Sequence, residues 1–289
     1  MIPTNDNNIY LSTGSFTTSS LGEIIETCDK INFHNLELSS GLPWSKGLTE
    51  EVEFAKKKCN LLIHNYFPPP KEPFVLNLAA KNPDILQLSI DHCKRAITLC
   101  EEVGASFYSV HSGFAFEVES SRLGRKLSNA PRYSIVEAKK IFIDSLQTLT
   151  EFGTSKKVRV AIENNVVAPI NLIDGKNLLL LGATAEELLE IYESVNSNNF
   201  GILIDVGHLK VTSNALQFDK ANFLHQIENH ITAFHLNDND GTFDSNQIFD
   251  EGVWFIPEIR RYPHHKKVIE SYKLSIEQLK QIITLVRTL

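Results

Sequence analysis

The chain has 289 residues, of which 42% are hydrophobic and 22% charged, and these proportions are typical of a globular protein with a large apolar core. Its formal net charge of −7 argues against a protein that binds the nucleic acid backbone, because such affinity comes mostly from Lys and Arg. No apolar run approaches the roughly 20 residues of a membrane-spanning helix, and the N-terminus lacks the pattern of a signal peptide, so we expect a cytoplasmic protein.

Short β-rich runs alternate along the chain with segments of helical periodicity. The predicted strands are 9–12, 35–38, 61–63, 107–110, 158–162, 201–204, 231–234 and 267–269. Helices are predicted over 20–30, 49–58, 83–103, 136–152, from Thr184 onward, over 218–229 and over 275–286, with a short turn near 256–261. The clearest of them begins at Pro83 and stops before Gly104, as helix ends favour.

Strand–helix alternation of this kind implies parallel strands joined by crossover helices. Eight units in 289 residues fit a single (β/α)8 barrel better than an open sheet, and we predict one domain over 1–289. No glycine-rich nucleotide-binding motif follows a predicted strand. The four cysteines contain no CxxC pair and predict buried, reduced thiols rather than a disulfide framework.

Ligand-type side chains stand at the ends of seven of the eight predicted strands. Active sites of (β/α)8 barrels lie at the C-terminal strand ends. Converging carboxylates repel one another, so a water-poor pocket tolerates them best around a cation. Carboxylate and imidazole together suit Mn²⁺, Zn²⁺, Co²⁺ or Fe²⁺, with Mg²⁺ as a more weakly held alternative. We therefore predict a divalent metal site among Glu37, His64, His111, Glu163, Asp205, His208, His235, Asp238 and Glu270.

The motifs IHN, VHSG, IENN, IDVGH, HLNDNDG and VIES, in this order along the whole chain, resemble the xylose-isomerase-like TIM barrels. That group includes sugar isomerases and epimerases, inosose dehydratases and endonuclease IV. The resemblance implies a metal-dependent sugar, sugar phosphate or keto-polyol isomerase or epimerase that moves a proton alpha to a carbonyl. It implies a single metal ion held by one residue from each of strands five to eight, namely Glu163, Asp205, His235 and Glu270. The two glutamates would also act as acid and base, and His208 would contact the substrate.

Two alternatives stay open within this resemblance. An endonuclease IV-like zinc phosphoesterase would use a second metal site drawn from His64, His111, His208 and Asp244. Asn246 stands where that enzyme's third zinc ion expects an imidazole, which argues against a trinuclear site. An inosose-type dehydratase also begins with abstraction of an alpha proton. A sugar-binding barrel without activity is a third class.

Further residues are predicted around a small-molecule sugar, with a homodimer left open. Substrate contacts are assigned to His208, His64, His111, Glu37, Tyr66, Trp44 and Lys210, and other loop aromatics (Phe16, Phe67, Phe114 and Trp254) are candidates for the pocket wall. The basic segment 119–132 is interpreted as a solvated loop, with a lid as the alternative. The run RRYPHHKK over 260–267 precedes the last strand and is predicted to be a solvated face at the opposite barrel end.

Overall fold

A computed structural model of the chain describes residues 6–118, 126–127 and 130–289. Eight parallel strands form a closed barrel, in which each strand pairs with the next and the last pairs with the first. The strands are β1 (Ile9–Ser12), β2 (Asn35–Leu38), β3 (Asn60–His64), β4 (Phe107–His111), β5 (Arg159–Glu163), β6 (Phe200–Asp205), β7 (Ile231–Leu236) and β8 (Lys266–Ile269). The predicted (β/α)8 barrel is confirmed.

Helices surround the barrel and pack on its buried strands. They are α1 (Leu21–Ile31), α2 (Leu48–Lys58), α3 (Pro83–Val103), α4 (Ile135–Lys156), α5 (Ala185–Val195), α6 (Val206–Leu216), α7 (Lys220–Ile227), α8 (Ile256–Ile259) and α9 (Ile276–Val286). The bounds of α3 agree with the prediction, because Asn82 caps its N-terminus and Gly104 ends it with a φ of 75°. In the described ranges no helix combines the length and the apolar character of a membrane span.

One helix, α6, is missing from the sequence prediction. It follows β6 without a connecting loop, and the side chain of Asp205 caps it by accepting a hydrogen bond from the His208 amide at 2.7 Å. Its sequence, VGHLKVTSNAL, mixes glycine with β-branched residues of modest helix propensity. Its stability therefore comes from burial and from this cap, which local periodicity does not reveal.

The opposite end of the barrel corrects one prediction. Lys267 is not part of a solvated face but is 2% exposed, because β8 begins at Lys266 and takes Lys267 into the sheet. Its ammonium donates hydrogen bonds to the carbonyl oxygens of Tyr262 at 3.0 Å and His265 at 3.3 Å. Burial lowers the pKa of Lys267 to about 8. The four cysteines are free and buried, as predicted.

Candidate metal centre

The C-terminal ends of β5 to β8 bring a buried group of ligand atoms together. One ligand atom from each residue lies within 4.8 Å of the others in the set Glu163, Asp205, His235 and Glu270. Nδ1 of His235 lies 2.9 Å from Oε2 of Glu270 and 3.5 Å from Oε1 of Glu163. These are the four residues that the sequence resemblance assigns to a metal ion, and we call them the main cluster.

A second cluster adjoins the first and shares Glu163 with it. It contains His64, His111 and Glu163, again with ligand atoms within 4.8 Å of one another. Oε2 of Glu163 lies 3.3 Å from Nε2 of His64 and 3.2 Å from Nε2 of His111. The other carboxylate oxygen, Oε1, faces His235 and His208. Glu163 therefore offers one oxygen to each cluster and could be a metal ligand in either of them.

Asp205 is held by groups that sequence reasoning did not assign. Nδ2 of Asn237 donates to Oδ2 of Asp205 at 2.8 Å, and the side-chain oxygen of Asn164 accepts from the Asp205 amide at 2.8 Å. Gly207 makes room for this arrangement, because a Cβ there would overlap the side chain of Asn237. Both asparagines stand in motifs noted in the sequence, Asn164 in IENN and Asn237 in HLNDNDG.

His208 lies at the edge of the main cluster and is also held at both ring nitrogens. Its Nδ1 contacts the carbonyl oxygen of Asn164 at 2.9 Å, and its Nε2 contacts Oδ2 of Asp244 at 3.1 Å. Asn246, two residues after Asp244, is also buried. Asp238 does not join the site but accepts from the ammonium of Lys210 at 2.7 Å.

Charge in the site is far from balanced by the protein alone. Burial raises the pKa of Asp205 to about 7 and also raises the pKa of Glu37. Burial opposes the charge of Glu163, yet neighbouring histidines, His111 first, lower its pKa well below the ordinary value. For His235, burial is outweighed by the carboxylates around it, which raise its pKa.

The donor set fits a divalent metal ion. Both carboxylate oxygens of Glu163 and Nδ1 of His235 are buried, and none of their close contacts among the described residues has the geometry of a hydrogen bond. Orphaned buried acceptors of this kind are costly unless something pairs with them. Carboxylate oxygen and imidazole nitrogen are ligands that Zn²⁺, Mn²⁺, Fe²⁺ and Co²⁺ accept. The main cluster could therefore hold one such ion, and the second cluster another.

The predicted substrate residues fall into different surroundings. The hydroxyl of Tyr66 accepts from the Phe74 amide at 2.7 Å, and its ring stacks on His92 of α3 at 5.0 Å, so this side chain is engaged with its own loop. Trp44 is 41% exposed in the segment after β2. Phe16 and Phe67 are buried and belong to the core. Residues 119–125, with Arg122 and Arg125 of the candidate lid, lie outside the described residues.

One aromatic residue near the site was not singled out from the sequence. Tyr272 follows Glu270 by two residues and is 46% exposed, and its ring lies where a Cβ at Gly14 would be. The negative charge of Glu270 is the largest influence on the phenol of Tyr272 and raises its pKa. Its amide donates to the carbonyl oxygen of Asn246 at 2.8 Å. Its position in the motif VIESY was the available signal.

Comparison with known proteins agrees with this architecture. Residues 15–282 match the family model described as the xylose isomerase-like TIM barrel. An uncharacterized protein of Methanocaldococcus jannaschii is 27% identical over 61% of this chain, and the match spans 53% of its length, so the chain spans about half of that relative. A probable endonuclease 4 of Persephonella marina is 20% identical over 74% of each chain. The crystal structure of a D-tagatose 3-epimerase-like protein superposes with a TM-score of 0.70 at 20% identity and covers 97% of each chain.

Proposed function

Because the chain belongs to the xylose isomerase-like TIM barrel family, we propose that it is a divalent-metal-dependent isomerase or epimerase. Its substrate would be a small sugar, a sugar phosphate or a keto-polyol, bound by one domain that spans the chain. The observation that carries this proposal is the pair of buried glutamates, Glu163 and Glu270, which converge on one centre together with Asp205 and His235. The superposition on a sugar epimerase-like protein is in keeping with it.

The main cluster (Glu163, Asp205, His235 and Glu270) would hold the metal ion. When bound, a divalent cation supplies a Lewis acid that stabilises negative charge on substrate oxygen. Asp205 is oriented for this task by Asn237 and by the amide of His208. His235 contributes the nitrogen of the cluster from the end of β7.

Proton transfer would fall to the two glutamates. One carboxylate accepts the proton alpha to the carbonyl, the electrons of the C–H bond form the carbon–carbon double bond, and the carbonyl electrons move to oxygen. Glu163 ends β5 and Glu270 follows β8, and these strands are three apart around the barrel, so the two side chains approach the centre from different directions. Return of a proton by the opposite glutamate inverts the carbon and gives epimerisation, whereas return to the neighbouring carbon gives isomerisation.

His208 would hold a substrate oxygen beside the reacting carbon. Burial opposes its charge, but the carboxylates of Asp205 and Asp244 raise its pKa well above the ordinary value. A charged imidazole is a strong donor to a hydroxyl or carbonyl oxygen. His208 is 7% exposed, so little water competes for such a hydrogen bond.

The test is exchange of the substrate's alpha hydrogen with deuterium from solvent. The probes are five- and six-carbon ketoses, free and phosphorylated, with the metal-loaded protein. Glu163→Gln and Glu270→Gln should each lower the exchange rate by at least about 100-fold, the typical contribution of a general acid or base. The exposed Glu193 on α5 provides a matched control, and Glu193→Gln should exchange like the wild type. If either Glu163→Gln or Glu270→Gln exchanges hydrogen at the wild-type rate, the two-glutamate mechanism is wrong.

A metal-dependent phosphoesterase is a second candidate, favoured by one specific observation. The cluster of His64, His111 and Glu163 adds a second set of ligands next to the main cluster. Paired metal ions stabilise both the attacking and the leaving oxygen of a phosphoryl transfer. A stoichiometry near two zinc ions per chain that falls to one in His111→Ala, with cleavage of a duplex containing an abasic site, would favour this candidate. One ion per chain and sugar exchange would favour the isomerase.

A further inference from the structure

We propose that Glu37 is a positioning residue that selects the tautomer of His235 in which Nδ1 can bind the metal ion, and that it does not contact substrate. This inference rests on the metal centre of the proposed function. Glu37 is 0% exposed and lies inside β2, one residue before its end, paired in register with Ser12 of β1 and Leu62 of β3. A carboxylate so placed is shielded from solvent and lies against the inner side of the metal centre.

The two ring nitrogens of His235 face different carboxylates. Nδ1 lies 2.9 Å from Oε2 of Glu270 and 3.5 Å from Oε1 of Glu163, within the main cluster. Nε2 lies 3.2 Å from Oε2 of Glu37, on the other side of the ring. Both His235 and Glu37 are completely buried, so water does not compete for these contacts.

The chemistry of imidazole makes this contact decisive. A neutral imidazole carries hydrogen on one nitrogen and a lone pair on the other, and the partner of the first determines which is which. With Oε2 of Glu37 accepting a hydrogen bond from Nε2 at 3.2 Å, the hydrogen of the imidazole lies on Nε2. The lone pair of Nδ1 then points at Glu163, Asp205 and Glu270. The opposite tautomer would set a lone pair of Nε2 against the Glu37 carboxylate and would remove the only nitrogen ligand of the main cluster.

The neighbouring His64 is oriented by a different residue, so the positioning role of Glu37 applies to His235. His64 also lies close to Glu37, since ligand atoms of Glu37, His64 and His235 fall within 4.8 Å of one another. However, the Nδ1 atom of His64 contacts the hydroxyl of Ser109 at 2.9 Å, which orients that ring. Outer contacts that orient a metal-binding histidine typically change metal affinity or activity by about 10–100-fold when they are removed.

The experiment measures metal binding without substrate. Zn²⁺ affinity is determined by competition with a chelator for the wild type, Glu37→Gln and Glu37→Leu, and the spectrum of bound Co²⁺ is recorded for each. Glu37→Leu should weaken Zn²⁺ binding by about 10–100-fold. Glu37→Gln should weaken it less, because the amide oxygen can still accept the hydrogen on Nε2. Ser39→Ala is the matched control, since Ser39 follows the same strand and bonds the hydroxyls of Ser12 and Thr13.

Each outcome decides between defined alternatives. Unchanged Zn²⁺ affinity in a folded Glu37→Leu protein overturns the proposal, and a raised KM with unchanged Zn²⁺ affinity assigns Glu37 to substrate instead. If Glu37→Leu does not fold, the ¹⁵N chemical shifts of His235 in the zinc-loaded wild type carry the test, and hydrogen on Nδ1 overturns the proposal. If the wild-type protein binds no divalent metal ion, both the proposed metal centre and this inference are wrong. If the wild-type protein binds Zn²⁺ but does not act on sugars, only the proposed activity is wrong.

Discussion

The second residue of α6 tests how the main cluster is supported. Gly207 stands at the same helical position as Gly22 of α1, since each is the second residue after an N-cap whose side chain bonds the third. A Cβ at Gly22 would meet open space, with the nearest atom, the hydroxyl oxygen of Ser20, at 3.9 Å. A Cβ at Gly207 would overlap the Asn237 side chain and lie 3.1 Å from Nδ2 of Asn239. The two Gly→Ala substitutions therefore differ in tertiary surroundings, not in helical position.

The magnitude follows from these contacts. Alanine gains up to about 1 kcal/mol over glycine in a helix. At Gly207 this gain is opposed by overpacking of about 1–3 kcal/mol. Moving Asn237 also breaks its hydrogen bond to the Asp205 carboxylate, and a bond to a charged group contributes roughly 1.5–3 kcal/mol. We expect Gly207→Ala to lose about 1.5–5 kcal/mol of unfolding free energy, whereas Gly22→Ala should gain up to about 1 kcal/mol.

The assay is urea unfolding at fixed pH, followed by circular dichroism, for the wild type and both variants. Gly207→Ala should have a lower urea midpoint than the wild type, and Gly22→Ala an equal or higher one. Zn²⁺ affinity should fall only in Gly207→Ala, because Asp205 loses its orientation. A Gly207→Ala protein as stable as Gly22→Ala, with undiminished Zn²⁺ affinity, would refute the argument that Asn237 is held rigidly against the backbone of α6.

Two further predictions concern stability away from the site. Lys267→Met removes a buried lysine whose pKa is lowered to about 8 from 10.5. Between these values the unfolded wild type binds a proton that the folded form lacks, so wild-type stability relative to Lys267→Met should rise by up to about 3 kcal/mol as the pH increases from 8 to 10.5. A pH-independent difference in unfolding free energy would contradict this. Asn82→Ala should cost about 1 kcal/mol, because its side chain accepts from the amides of Asp84 at 2.9 Å and Ile85 at 3.4 Å at the start of α3. The exposed Asn198 is the control, and an equal effect of Asn198→Ala on the unfolding midpoint would contradict the capping role.

Strands and most helices were predictable because each depends on local pattern. The strand residues are almost all buried, so their apolar, β-branched runs stand out from the chain. Caps such as Asn82 and Gly104 mark helix ends within a few residues. The family resemblance is confirmed, and the strand-end residues lie together where the barrel architecture predicts. What each residue does there stays a prediction.

Several features of the site were beyond local pattern. Helix α6 depends on a cap from a ligand-type residue, and the burial of Lys267 depends on the carbonyl oxygens of Tyr262 and His265 that accept from its ammonium. Tyr66 follows a predicted strand like the site residues, but its ring stacks on His92 of α3 instead. The sequence alone could not separate these cases, because the direction of a side chain in a loop depends on which helix packs beside it.

The amino-acid sequence by itself determined the barrel and the set of side chains at its C-terminal end. Hydrophobic periodicity and helix capping depend on residues that are close in sequence, so they can be read from the chain directly. Eight repeated strand–helix units also leave few topologies for a parallel sheet. Only the tertiary structure decided which atoms of these side chains meet. Glu37 and His235 are 198 positions apart, and their contact exists because the closed barrel brings the ends of β2 and β7 around one axis. In this contact Nε2 of His235 faces Glu37 and Nδ1 faces Glu270. The orientation of the ring is set by the packing of the whole barrel and not by any single stretch of chain.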